Sequence, residues 1–132
     1  MEPKLSVESF QRLVDDYVVE RDWKRYHKPK DIAISIAIET SELLELFQWK
    51  SDPINNGEID KELKIRIGEE LADVMIYCAC MANSTGIDLS DALLNKIQKN
   101  RSKYPVEKVM GASDWSVVSR ACSKSSRSDR GD

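Results

Sequence analysis

No run of about 18 apolar residues occurs in the 132-residue sequence, so a membrane-spanning helix is not expected. The first ten residues, MEPKLSVESF, lack the apolar stretch of a secretory signal. Cysteine is scarce: Cys78, Cys80 and Cys122 form an odd set with no Cys-x-x-Cys, which supports neither a disulfide framework nor a zinc site. Cys78 and Cys80 lie in the apolar run VMIYCACMA, where a reduced cysteine is a small hydrophobe, and a cytoplasmic location is expected. The four prolines and five glycines fall mainly between periodic segments, which disfavours a sandwich of short strands. A basic excess is missing too. The formal net charge is −3, which argues against general binding to nucleic acid.

What is present is a chain of 41% hydrophobic and 33% charged residues, a composition that suits a single globular domain. A domain of this size buries only about two thirds of its unfolded surface, so association with further copies is expected to add core. Ser6 can cap a first helix, in which Phe10, Leu13, Val14, Tyr17 and Val18 form an amphipathic stripe. The stripe fades through RDWKRYHKPK, where Pro29 interrupts. Asp31 can cap a second helix running to about Trp49, and SDPINNG reads as a loop. A third helix is expected from near Ile59 to about Asn83, with Gly86 as its stop. Asp88, with Asp91 three residues on, can cap a fourth through about Lys103, ended by Pro105. These elements predict an all-α, four-helix-bundle-like catalytic unit over residues 1–110, with 111–132 as a tail. The polar segment after Ser119 is expected to be disordered.

The acids carry the chemical information. Ile32, Ile36, Glu39, Leu43 and Leu46 make one helical stripe, and Leu63, Ile67, Glu70, Val74, Tyr77 and Met81 make another. A glutamate interrupts each. Each intruder has an acid three residues later on the same face: Glu42 after Glu39, and Asp73 after Glu70. If the two seams face each other, with axes about 8–10 Å apart, four carboxylates converge. Like charges in a partly buried space repel, and only protonation, basic partners or a divalent cation can offset that. Oxygen-only ligands suit a hard cation; magnesium is the usual one, and it is typically shared with substrate phosphates. The competing reading is that helix acids are solvated, which is how Glu45, Glu58, Glu62 and Glu69 are read.

Glu39-x-x-Glu42 and Glu70-x-x-Asp73, with their flanks ERDWKRYHKPKD, IETSELLELFQWK, EELADVMIYCACMA and NKIQKNRSKYP, resemble the MazG-like, all-α nucleoside triphosphate pyrophosphohydrolases, and most closely their dCTP pyrophosphatase branch. The match runs over residues 5–105. Two positions depart from the common pattern: Ile38 stands where many members double the acid, and Ser41 where a glycine is common. The resemblance implies hydrolysis of dCTP or a modified dCTP to the monophosphate and pyrophosphate in nucleotide-pool clean-up. It implies Glu39, Glu42, Glu70 and Asp73 as catalytic metal ligands for Mg2+, with Mn2+ as a substitute, and a homo-oligomer, a tetramer in the family. Which acid acts as general base stays open.

Lys96, Asn100 and Lys103 share a face of the fourth helix, with Arg101 and Tyr104 beside it. A basic face at a helix C-terminus is ordinarily solvated and favoured by the dipole. With the resemblance, Lys96, Asn100, Arg101 and Tyr104, and more weakly Lys50, become expected triphosphate contacts. Trp23, His27, Trp49 and Tyr77 are the expected base-pocket residues, although aromatics at helix ends are mostly core plugs. His27, the only histidine, is expected to touch base or sugar. Three alternatives compete. A di-iron carboxylate bundle wants Glu-x-x-His on two helices, which one histidine cannot supply. A non-catalytic helical interaction module would leave the acids solvated. A dUTP-type or broad-specificity pyrophosphohydrolase stays within the fold.

Overall fold

The computed structural model describes residues 4–49, 54–55 and 57–111, and the chain divides into two compact units, Met1–Ala92 and Leu93–Asp132. In the first unit, helix α1 spans Val7–Glu20. Ser6 caps it: its hydroxyl accepts from the Ser9 amide at 3.1 Å, and the Ser6 amide donates back to Ser9 Oγ at 3.0 Å. The predicted stripe is split in the structure. Val14 and Val18 are buried and Phe10 half-buried, whereas Leu13 and Tyr17 are exposed.

Asp22, in left-handed backbone (φ 55°) and ion-paired with Arg25, turns the chain into a 3-10 turn at Lys24–Tyr26. Helix α2, Pro29–Glu45, then begins two residues before the expected Asp31 cap. Pro29 is not an interruption but the first helical residue, where a missing N–H costs nothing and the fixed φ is already helical. Asp31 sits in the first turn, where its charge complements the helix dipole. The helix also stops four residues short of Trp49, which has φ 69°.

A two-residue antiparallel hairpin occupies part of the expected loop: β1 (Ile54–Asn55) pairs with β2 (Glu58–Ile59), Ile54 opposite Ile59. Ile59 is therefore strand, and helix α3 runs Lys61–Thr85 under an Asp60 cap, whose Oδ2 accepts from the Leu63 amide at 3.0 Å. The left-handed Gly86 ends it (φ 69°). Asp88 caps α4, Leu89–Lys103, accepting from the Asp91 amide at 3.0 Å. Most of α4 and a short helix not expected from the sequence, α5 (Val106–Val109), form the described part of the second unit. The expected tail, including Trp115 and Cys122, lies outside the described residues apart from Gly111.

The first unit is built on α3, against which both α1 and α2 pack. Val14, Val18, Ile32, Ala79 and Cys80 form its core, with Phe10, Ile36, Tyr77 and Met81 packed around them. The small side chains Ala79 and Ala82 on α3 are buried in this packing. Gln11 pins the turn after α3: its side chain donates to Ile87 O at 2.8 Å and accepts from the Leu89 amide at 3.0 Å, while Asn83 Nδ2 donates to Gln11 O at 3.1 Å. A Cβ at Gly86 would meet nothing within 4 Å, so only its φ opposes substitution. Gly86→Ala is expected to destabilise by about 1 kcal/mol, and Gly86→Asn by less, since asparagine tolerates this conformation. Paired urea melts would show it; an unchanged midpoint for the alanine variant contradicts it.

Candidate active site

Glu39 and Glu70 take the places in the α2 and α3 stripes that apolar residues would otherwise fill, so helix packing carries both carboxylates inward. Both are half-buried; Glu42 and Asp73, each nearly one turn further on, are exposed. Glu39, Glu70 and Asp73 each offer an oxygen, and these oxygens lie within 4.8 Å of one another. Glu42 stands close enough to both Glu39 and Glu70 to raise the pKa of each. The four acids singled out from the sequence therefore do converge. The acids read as solvated, Glu45, Glu58, Glu62 and Glu69, are exposed.

Desolvation by burial raises the pKa of Glu39 most, followed by the hydrogen bond and charge of Glu42 and then the charges of Asp73 and Glu70. Glu70 is raised in the same order of causes: desolvation, the Glu42 hydrogen bond, and the charges of Glu42, Asp73 and Glu69. Glu39 Oε2 and Glu70 Oε2 are buried with no hydrogen-bond partner. Buried, unpartnered anionic oxygens are costly, and a cation between them removes the cost. The all-oxygen donor set fits a hard divalent ion.

The sign of the pH dependence follows. A carboxyl whose pKa is raised on folding favours the fold when protonated. That contribution is complete below the unfolded value and is lost as pH rises through the raised folded values. The metal-free protein is therefore expected to lose stability at this cluster above the ordinary carboxyl range. Magnesium should raise the melting temperature more at pH 8 than at pH 5, because protons compete with the cation for these oxygens as pH falls. Equal shifts at both pH values in thermal melts would remove the cluster as the binding site.

Beside the carboxylates lies a cavity of about 520 Å³, with Glu39 and Asp73 at its wall. Trp23, His27 and Tyr77, three of the four aromatic residues singled out from the sequence, line it. Its remaining surface was not foreseen as a site. Leu13, Tyr17, Ile76 and Cys80 contribute to it, although the α1 stripe and the apolar run on α3 read as core. One sequence signal was available: Ile76, Tyr77 and Cys80 lie three, four and seven residues after Asp73, on the same side of α3. Tyr17 and Trp23 meet edge to face, with ring centroids 5.7 Å apart, and the Arg21 guanidinium lies 3.8 Å over the Tyr17 ring. Burial, then the charge of Asp15, push the Cys80 thiol up, so it is a poor nucleophile.

Trp49 is 94% exposed and does not line the cavity. Lys50 lies outside the described residues. Lys96, Asn100 and Arg101 are exposed on α4 in the second unit, with Tyr104 half-buried just beyond it.

An all-helical unit with carboxylates from two packed helices beside an apolar cavity is the class that fold and site define, and the comparisons place it more narrowly. The family model of the MazG-like family matches residues 34–117. dCTP pyrophosphatase 1 of Mus musculus is 38% identical over 112 residues, covering 83% of this chain and 65% of the relative. The protein of that name from Homo sapiens is 38% identical over 105 residues, covering 78% and 61%. The chain thus spans less than two thirds of the length of these relatives. The crystal structure of a pyrophosphatase from Archaeoglobus fulgidus superposes with a TM-score of 0.67 at 34% identity, covering 80% of this chain and 97% of that one. The chain belongs to the MazG-like family.

Proposed function

We propose that this protein is a magnesium-dependent nucleoside triphosphate pyrophosphohydrolase that converts dCTP or a modified dCTP to the monophosphate and pyrophosphate. The observation that carries the reading is the pair of buried, unpartnered oxygens on Glu39 and Glu70 inside a four-carboxylate cluster at the wall of an apolar cavity. The relatives' names give the reaction and the base.

Glu39, Glu70 and Asp73, with Glu42 beside them, would hold the cation. When bound, it supplies positive charge against the polyphosphate and acidifies the attacking water. Glu42, exposed beside the other three carboxylates, is proposed as the general base. Trp23, Tyr77 and His27 orient the base in the cavity, and the apolar wall excludes water from around it. Lys96, Asn100, Arg101 and Tyr104, with Lys50, are the proposed polyphosphate contacts, and Trp49 is a proposed further face for the base.

The working form is proposed to be a homotetramer acting in cytoplasmic nucleotide-pool clean-up. Only eight hydrophobic residues among those described are buried, while Leu44 is 70% and Ile65 65% exposed. Apolar surface on this scale is what subunit contacts cover. Light scattering coupled to gel filtration should give four times the 15.1 kDa chain mass; a monomer removes this part of the reading.

The deciding assay is pyrophosphate release from canonical and modified triphosphates, with magnesium and with EDTA. Magnesium-dependent release, fastest on deoxycytidine-type substrates, is expected. Fastest release from dUTP, or equal rates across the panel, favours the dUTP-type or broad-specificity reading. No release from folded protein favours the interaction module.

A further inference from the structure

Tyr17 and Trp23 both line the apolar cavity, yet Tyr17 is 44% and Trp23 41% exposed. Among the described residues, neither belongs to the core cluster or to the side chains packed around it. The Trp23 backbone is fixed, its amide donating to Val18 O at 3.0 Å. An aromatic side chain standing half in water is not fixed in the same way. Exposed side chains change rotamer freely unless a neighbour holds them. A ligand that packs on a mobile ring must first order it, and that ordering weakens binding.

Arg21 is the neighbour that holds both rings. It is the C-cap of α1, one turn after Tyr17. Its guanidinium carbon lies 3.8 Å from the Tyr17 ring centroid and 5.9 Å from that of Trp23, both within reach of a cation–π contact. The two rings meet edge to face at 5.7 Å, so the three side chains form one stack. Arg21 is itself anchored. Its Nη1 donates to Tyr17 O at 3.1 Å and lies 3.3 Å from Glu20 Oε2. The carbonyl it binds belongs to the residue whose ring it covers, so one side chain secures both the end of α1 and the aromatic wall. A lysine ammonium is a point charge without a plane to stack. Arg21 does not line the cavity, so its effect on a ligand runs through Tyr17 and Trp23.

Building on the proposed reaction, in which the base of the nucleotide occupies this cavity, we propose that Arg21 is a positioning residue. It clamps Tyr17 and Trp23 and presents the nucleotide with an aromatic wall that is already ordered.

Two readouts on the full chain test this. The first needs no substrate: time-resolved fluorescence anisotropy of Trp23 in protein carrying Trp49→Phe and Trp115→Phe, which removes the other two tryptophans. Adding Arg21→Met, which keeps an unbranched stem without the cation, is expected to increase the fast depolarisation of Trp23. The second is kcat and KM for dCTP with magnesium in the otherwise wild-type chain. Arg21→Met is expected to raise KM about 3- to 10-fold, the scale of a cation–π contact with an aromatic pair, and to leave kcat within about twofold. Tyr17→Leu should raise KM likewise, and adding Arg21→Met to it should raise KM little further, because the clamp has lost the ring it acts through. A residue that only stabilised α1 would add its full effect in both backgrounds. Unchanged Trp23 depolarisation, an unchanged KM, or additive effects in the double variant overturns the positioning role. If the wild type cleaves no triphosphate, the pyrophosphohydrolase reading falls and the Trp23 measurement still decides the clamp. Cleavage with Trp23 unaffected by Arg21→Met does the reverse.

Discussion

Glu70→Gln is expected to lower magnesium-dependent pyrophosphate release by more than about 100-fold while the helices stay folded. Changes to groups that only orient a metal's ligands typically cost about 10–100-fold, and Glu70 is proposed to hold the cation directly. The amide keeps the shape of the carboxyl but removes the charge from one of two buried, unpartnered oxygens. Because burial and the neighbouring acids oppose ionisation of Glu70, the uncharged variant should melt no lower than the wild type without metal. It should also lose most of the stabilisation that magnesium gives the parent. Glu62→Gln, an exposed acid in the first turn of the same helix, is the control and should leave the rate within about twofold. Wild-type turnover in folded Glu70→Gln would remove the carboxylate cluster as the catalytic centre, whatever the family.

Ile32→Ala is expected to be the most destabilising of the substitutions considered, by about 2–5 kcal/mol. Ile32 is 2% exposed and the largest fully buried side chain among the described residues; it packs in the cluster with Val14, Val18, Ala79 and Cys80. Truncation removes contacts to both neighbouring helices and leaves a void that helices pinned at Gln11 and Asn83 cannot readily close. Domains hold only about 5–15 kcal/mol in reserve, so a fall in melting temperature of roughly 10 °C or more follows. Ile32→Val, which removes one methylene, should cost about 0.5–1.5 kcal/mol. Glu39 lies seven residues later on the same stripe, so the alanine variant should also bind magnesium more weakly well below its melting point. A loss under 1 kcal/mol would mean that the core relaxes around the void, and the packing described for Ile32 would not be the support of the site.

Helix boundaries were legible where a side chain makes the cap. Ser6, Asp88 and Gly86 each do what their chemistry predicts, because capping needs only a few consecutive residues. Boundaries set by backbone alone were not legible. Pro29 is as compatible with starting a helix as with breaking one, and only the path of the chain after Asp22 selects the first. The two-residue hairpin at Ile54–Ile59 leaves no periodic signal, since a strand pair this short shows no alternation.

The sequence by itself determined the all-helical character, the two apolar seams and the two acid pairs that interrupt them, because helical periodicity is local and each acid's face follows from its spacing. It also carried the family resemblance that the comparisons bear out. Only the tertiary structure decided that the seams of α2 and α3 bring Glu39, Glu70 and Asp73 within 4.8 Å of one another. Likewise, only the structure showed that the whole α1 stripe borders a cavity, with Val14 and Val18 serving the core as well. The reason is physical: a stripe fixes which side of a helix seeks an apolar partner, but the crossing of helices distant in sequence fixes where the partner's surface ends and a cavity begins.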